Sequence, residues 1–92
     1  MSNFLKLYTQ NDCPFCVTMK NKLDEWGFDY ITVNVSYNQE AKTFLKNQGH
    51  RTVPQLYDGN VNLNKDINTS DLTKRHLEMM MLEQDGGVEM FG

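Results

Sequence analysis

The sequence predicts an α/β fold, a mixed four-stranded sheet with three helices on its two faces. Three observations predict it. Segments rich in β-formers alternate with segments whose apolar residues recur at helical spacing, in the order strand, helix, strand, helix, strand, strand, helix. Asp58-Gly59 lies between two alternating segments, the signal of a tight hairpin, so the third and fourth strands run antiparallel. The first two strands are separated by a helix, as a parallel β-α-β unit requires, and right-handed crossovers then place helices on both faces.

Taken in order, Phe4-Leu5-Lys6-Leu7-Tyr8-Thr9 is β-prone and alternates around Lys6, which gives the first strand. Gln10-Asn11-Asp12 breaks it with turn-forming residues. Pro14 is suited to the first position of a helix, and Cys16, Met19, Leu23 and Trp26 follow at helical spacing. Gly27 ends that helix. Tyr30 to Val35 forms the second strand, with Ile31, Val33 and Val35 on one face. Ser36 and Gln39 have capping-box spacing, Asn38 is a competing cap, and Ala41, Phe44 and Leu45 make the apolar stripe of a second helix closed by Gly49. Val53 to Tyr57 is the third strand. Val61 and Leu63, alternating with Asn60, Asn62 and Asn64, form the fourth. A last helix is expected from Thr69 or Ser70, with Asp71 in its first turn and Leu72, Leu77, Met80 and Met81 as its apolar contacts. Gly86-Gly87 ends it, and residues 86–92 are expected to fray.

The 92 residues suffice for one domain, expected to span 1–92. A hydrophobic content of 39% with 23% charged residues excludes a disordered chain. No apolar run approaches a membrane span. The start, Met1-Ser2-Asn3-Phe4-Leu5-Lys6, lacks the basic and long apolar stretches of a secretory signal, so a cytoplasmic location is expected. Net charge is -3 and no basic stripe exists, which argues against nucleic-acid binding.

The chain has two cysteines, Cys13 and Cys16. A bridge closing so short a loop adds little chain-entropy stabilisation, so redox chemistry is the better reason for the pair. Thiol exchange needs a thiolate near neutral pH, an exposed sulfur and a second thiol in reach. Cys13 stands just before a helix beginning at Pro14, where unpaired N–H groups and the dipole favour the ionised sulfur. Cys16 is one turn on and faces the core. Cys13 is therefore assigned as nucleophile and Cys16 as resolving thiol. A metal half-site is the competing reading, but only His50 and His76 remain as ligands and their spacing is not paired, so no metal is expected. Both histidines read as solvated or hydrogen-bonded surface groups. Trp26, Phe28 and Tyr30 read as packing, Met79 to Met81 as core filler, and Lys20 and Lys22 as a solvated helix face.

Cys13-Pro14-Phe15-Cys16 after a Tyr8-Thr9 strand end, Thr52-Val53-Pro54, and Thr69-Ser70-Asp71-Leu72 together resemble the signatures of the glutaredoxins, over about Phe4 to Leu82. The resemblance implies a thioredoxin-like fold, a cis peptide before Pro54 facing the cysteines, and a glutathione groove. In that groove Val53 would offer backbone groups to glutathione, beside Thr52 and Pro54. Phe15 would wall the mixed disulfide, and Thr69 and Ser70 would present N–H groups to the γ-glutamyl carboxylate. It also implies a monomeric dithiol enzyme with glutathione as reducing cosubstrate. Its substrates would be disulfide-containing or glutathionylated proteins, among which ribonucleotide reductase is one candidate. Ile67-Asn68 replaces the family's usual Gly-Gly, and Gln10-Asn11 stands where many members carry a lysine; Arg51 or Lys42 could substitute for that charge. The alternative is a related group of small redoxins that serve ribonucleotide reductase and are reduced by thioredoxin reductase. The run Tyr8 to Cys13 and the stretch Gly27 to Tyr30 look somewhat like that group. A dimer bridging an iron–sulfur cluster through Cys13 is a third reading, disfavoured because Pro14 stiffens the loop.

Overall fold

The computed structural model describes residues 5–64 and 71–86. Its elements are β1 (Leu5–Thr9), α1 (Pro14–Trp26), β2 (Tyr30–Asn34), α2 (Gln39–Asn47), β3 (Gln55–Asp58), β4 (Val61–Asn62) and α3 (Lys74–Gly86). The strands form one sheet in the order β2-β1-β3-β4. β1 pairs parallel with β2 and antiparallel with β3, and β3 pairs antiparallel with β4. The mixed sheet and the element order match the sequence expectation.

β1 lies between two other strands, and both of its faces are covered. Leu5 and Leu7 point to one face, where Leu7 sits opposite Leu56 of β3. There they join Met19 and Leu23 of α1, Leu63, Leu72 and Leu77 of α3, all buried. Tyr8 points to the other face and packs with Ala41, Leu45 and Phe44 of α2 and Tyr57 of β3. Helices α1 and α3 therefore share one face and α2 covers the other. On the α2 face the Tyr57 ring stands edge-on to Tyr8 at 5.6 Å and near-perpendicular to Phe44 at 5.3 Å, favourable aromatic geometries. β2 is an edge strand, so Ile31 remains exposed while Val33 and Val35 pack inward. Of the three residues expected on one face of β2, Val33 and Val35 thus reach the core and Ile31 lies outside it.

Local signals set the helix ends. Gly27 terminates α1 with φ +80, donating its N–H to the Asp24 carbonyl; the left-handed conformation suits glycine. Asn38, not Ser36, caps α2, its Oδ1 accepting from Ala41 N at 3.0 Å. The start of α3 differs from expectation. The helix begins at Lys74, and Asp71 precedes it. Thr73 Oγ1 accepts the His76 N–H at 3.1 Å, and the Leu72 carbonyl accepts from Lys22 Nζ at 3.3 Å. Leu72 is buried in the core, and the α-helix starts after Thr73, whose hydroxyl caps it. The expectations for Thr69, Ser70 and Ile67-Asn68 lie outside the described residues; of the 86–92 stretch expected to fray, Gly86 is the last residue of α3 and the rest lies outside them too. The expectation for Met81 lies outside the described side chains.

Trp26 and Phe28 pack edge to face at 6.5 Å against the α1 side of the core. Lys22 lies over the Trp26 ring at 6.0 Å, so with its bond to Leu72 it ties α1 to the segment before α3 and is not a solvated face. Met79 is exposed and Met80 half-buried, so the core-filler expectation holds for Met80 alone of the two. The Tyr30 hydroxyl donates to Asp24 at 2.9 Å, and burial, with that carboxylate, pushes its pKa up to about 12. Among the described residues no helix is long and apolar enough to cross a membrane.

Candidate active site

Because β1 and β3 are antiparallel, the C-terminal end of β1 and the N-terminal end of β3 meet at one end of the sheet, with Tyr8 opposite Gln55. The cysteine pair leaves β1 at that end, and Val53-Pro54 enters β3 there. Segments forty residues apart in the sequence, Cys13 and Val53, are thus brought to one end of the sheet by topology.

Cys13 is the N-cap of α1, in extended conformation (φ -115, ψ 97), with Pro14 in the first turn. Its Sγ accepts the Cys16 N–H at 3.1 Å, and its carbonyl accepts from Cys16 N at 3.1 Å and Val17 N at 3.3 Å. A sulfur held over a helix N–H keeps a negative charge more easily, which lowers a thiol pKa. No acidic residue stands in the first turn to oppose this. Cys13 and Cys16 are joined as a disulfide with Cα atoms 5.2 Å apart. Cys16 is buried at 3% exposure, Cys13 is half-buried and Phe15 is 63% exposed. The outer sulfur can meet a substrate while the inner one waits behind it.

The Val53-Pro54 peptide is cis, as the resemblance implied. Pro54 is buried, Val53 half-buried and Thr52 exposed. The Pro54 carbonyl accepts from buried Asn64 Nδ2 at 3.4 Å, while Asn64 Oδ1 accepts the Leu56 N–H at 2.9 Å. One amide side chain therefore continues the hairpin ladder beside the proline turn. Sequence reading placed Asn64 only as an alternating strand residue, and nothing local to it signals this role.

A cleft of about 290 Å³ opens at this end, lined by Gln10, Lys42, Lys46, His50, Arg51 and Val53, among others. None of its lining residues is acidic, and among the described residues Lys42, Lys46 and Arg51 form no ion pair. A cationic cleft in a chain of net charge -3 is a place for a carboxylate. Lys42 and Arg51, named from sequence as substitutes for the missing lysine, both line it; Lys46 and His50 were not anticipated there.

His50 Nε2 meets the Tyr57 hydroxyl at 2.6 Å, so this histidine is bonded and partly buried. Burial lowers its pKa from the ordinary 6.5. The native state thus binds fewer protons than the unfolded chain just below that value, and stability is lost as pH falls from about 6.5. Urea midpoints at pH 7 and pH 5 are expected to converge in His50→Gln, which keeps a polar group and cannot titrate. An unchanged gap between the two midpoints would show that other groups carry the acid sensitivity. Among the described residues no cluster of three or more metal-ligating side chains occurs.

A helix-capping, outward cysteine backed by a buried partner, beside a cis-proline turn, defines the site of a thiol–disulfide redox protein. The chain belongs to the glutaredoxin family, whose model matches residues 5–61. It is 35% identical over 57 residues to the glutaredoxin-like protein NrdH of Escherichia coli K12, covering 62% of this chain and 70% of that one. It is 34% identical over 86 residues to glutaredoxin 1 of Rickettsia typhi, covering 90% of this chain and 73% of the other. The solved structure of Escherichia coli NrdH-redoxin superposes with TM-score 0.61 at 34% identity, covering 64% of this chain and 78% of that one. That of Francisella tularensis glutaredoxin 1 gives 0.62 at 24% identity, covering 87% and 98%, and supports the fold alone. The fold is thioredoxin-like, and the protein is a glutaredoxin- or NrdH-like redox protein with a cysteine pair.

Proposed function

We propose that this chain is a dithiol enzyme that reduces protein disulfides and glutathione mixed disulfides with glutathione as the cosubstrate. The observation that carries the reading is the placement of Cys13 Sγ over the Cys16 N–H, at the end of the sheet where the Val53-Pro54 turn and the cationic cleft also lie. The Cys13 thiolate attacks one sulfur of a substrate disulfide, forms a mixed disulfide and releases the other sulfur as a thiolate. Cys16 then loses its proton and attacks Cys13 Sγ. The substrate's second thiolate leaves, and the Cys13–Cys16 disulfide remains.

Two glutathione molecules supply the two electrons that restore the pair. The first attacks Cys13 Sγ and frees Cys16; the second attacks the glutathione sulfur of that adduct, giving glutathione disulfide and the Cys13 thiolate. Arg51, Lys42 and Lys46 would hold the glycyl carboxylate, and the Val53 backbone would pair with the cysteinyl part like an added strand. Phe15 would shield the mixed disulfide, while Thr52 and Pro54 shape the turn. Thr69 and Ser70 keep their proposed part at the γ-glutamyl carboxylate. The enzyme would act as a monomer in a reducing compartment such as the cytoplasm.

A second reading has the same cysteines passing electrons from thioredoxin reductase to ribonucleotide reductase. The identity with NrdH favours it, since the Escherichia coli structure is described as explaining a thioredoxin-like activity profile. Offering the oxidised protein to each donor separates the two. Rapid reduction by glutathione with glutathione reductase is expected. Reduction by thioredoxin reductase and NADPH, with glutathione inert, would move the chain to the second reading.

A further inference from the structure

The loop between β1 and α1 is latched to the loop between β2 and α2 through one residue. Asn11 makes three hydrogen bonds there: its N–H donates to Ser36 Oγ at 3.1 Å, its Nδ2 donates to the Tyr37 hydroxyl at 3.1 Å, and its Oδ1 accepts from Asn34 Nδ2 at 3.0 Å. The receiving loop is itself braced, since Asn34 Oδ1 accepts the Ser36 N–H at 2.8 Å and the Thr9 carbonyl accepts the Val35 N–H at 2.7 Å. Immediately after Asn11 comes Asp12 with φ 55, a left-handed conformation that side chains seldom adopt. Cys13 follows directly, and its own backbone angles place the sulfur over the Cys16 N–H.

We propose that Asn11 is a positioning residue for Cys13: its bonds across to Asn34, Ser36 and Tyr37 hold the Asp12 turn that keeps the sulfur at the start of α1. Without the latch, the left-handed turn has little to maintain it, and the loop can relax toward conformations that carry the sulfur away from the helix amide. The cost falls on the thiolate, because the charged sulfur gains most from that donor. The proposal deepens the reading of Cys13 as an activated nucleophile and rests on it. Charged and titratable groups near this end of the sheet are Asp12 and Tyr37 on the two loops and Lys42, Lys46, Arg51 and His50 lining the cleft; of these the changes below alter Tyr37 alone.

The test uses the full chain in a Cys16→Ser background, so that Cys13 is the one thiol. Thiolate absorbance against pH and the rate of alkylation by iodoacetamide both report on it. Asn11→Ala is expected to raise the Cys13 midpoint by about one pH unit, or roughly tenfold less thiolate at a pH below it. Tyr37→Phe removes one bond from an exposed side chain and is expected to move the midpoint the same way by less, which keeps the test valid if Asn11→Ala fails to fold. A parent midpoint depressed below that of an ordinary thiol but unmoved by both changes would overturn the proposal alone. A parent midpoint at the ordinary value would overturn the nucleophile reading and the proposal together.

Discussion

Cys13→Ser is expected to bring disulfide exchange down to the uncatalysed rate, because a serine hydroxyl at this helix start remains protonated where a thiol ionises. Cys16→Ser is expected to separate two activities. Glutathione mixed disulfides need only Cys13 and a second glutathione, so their reduction should persist. Protein disulfides need Cys16 to release the trapped substrate, and turnover should stop at a mixed disulfide visible as a mass increase on Cys13. The structure supports this division: Cys13 is half-buried at the helix cap, whereas Cys16 is 3% exposed behind it. Full activity in Cys13→Ser would remove Cys13 as the nucleophile. Equal loss of both activities in Cys16→Ser would assign Cys16 more than a resolving role.

The largest effect on stability is expected from Leu23→Ala. Leu23 is fully buried in the core that joins α1 to β1, β3 and α3. Truncation there costs about 2–5 kcal/mol, from lost transfer energy and from the cavity left behind. For a domain of this size that lowers the melting temperature by roughly 10 °C or more. Thermal unfolding followed by circular dichroism measures it directly. A drop of only a degree or two would mean that α1 can collapse onto the sheet and close the gap. The change also tests the site indirectly, since α1 carries Cys13 at its cap. A folded Leu23→Ala protein at low temperature should retain its Cys13 chemistry, because the cap bonds lie at the opposite end of the helix.

Much of this protein was legible residue by residue. Pro14 after Cys13 marks the start of α1 because proline lacks the N–H that a first turn leaves unpaired. Gly27 marks its end, and Asp58-Gly59 marks the β3–β4 hairpin. These are short-range signals, each set by the conformational limits of one or two residues. The cysteine spacing belongs with them, since three residues along a helix bring two thiols together whatever surrounds them. Family membership was legible too, because the cysteine motif and Thr52-Val53-Pro54 occur together in the expected element order.

What only the tertiary structure decided are the features made by contact across the chain. The cap of α3 is Thr73, next to a Leu72 that is buried in the core and whose carbonyl accepts from Lys22, fifty residues away. Strand alternation could not show which helix covers which face of β1; α1 and α3 pack on the Leu5 and Leu7 side and α2 on the Tyr8 side. The cationic cleft gathers Gln10, Lys42, Lys46 and Arg51 from three separate stretches. Asn11 reads as a turn residue in the sequence, yet its partners lie 23 to 26 residues on. Local preference determines which elements form and where a cysteine can ionise. The parallel pairing of β1 with β2 brings the two loops side by side, and only then does Asn11, two residues before Cys13, reach Asn34, Ser36 and Tyr37.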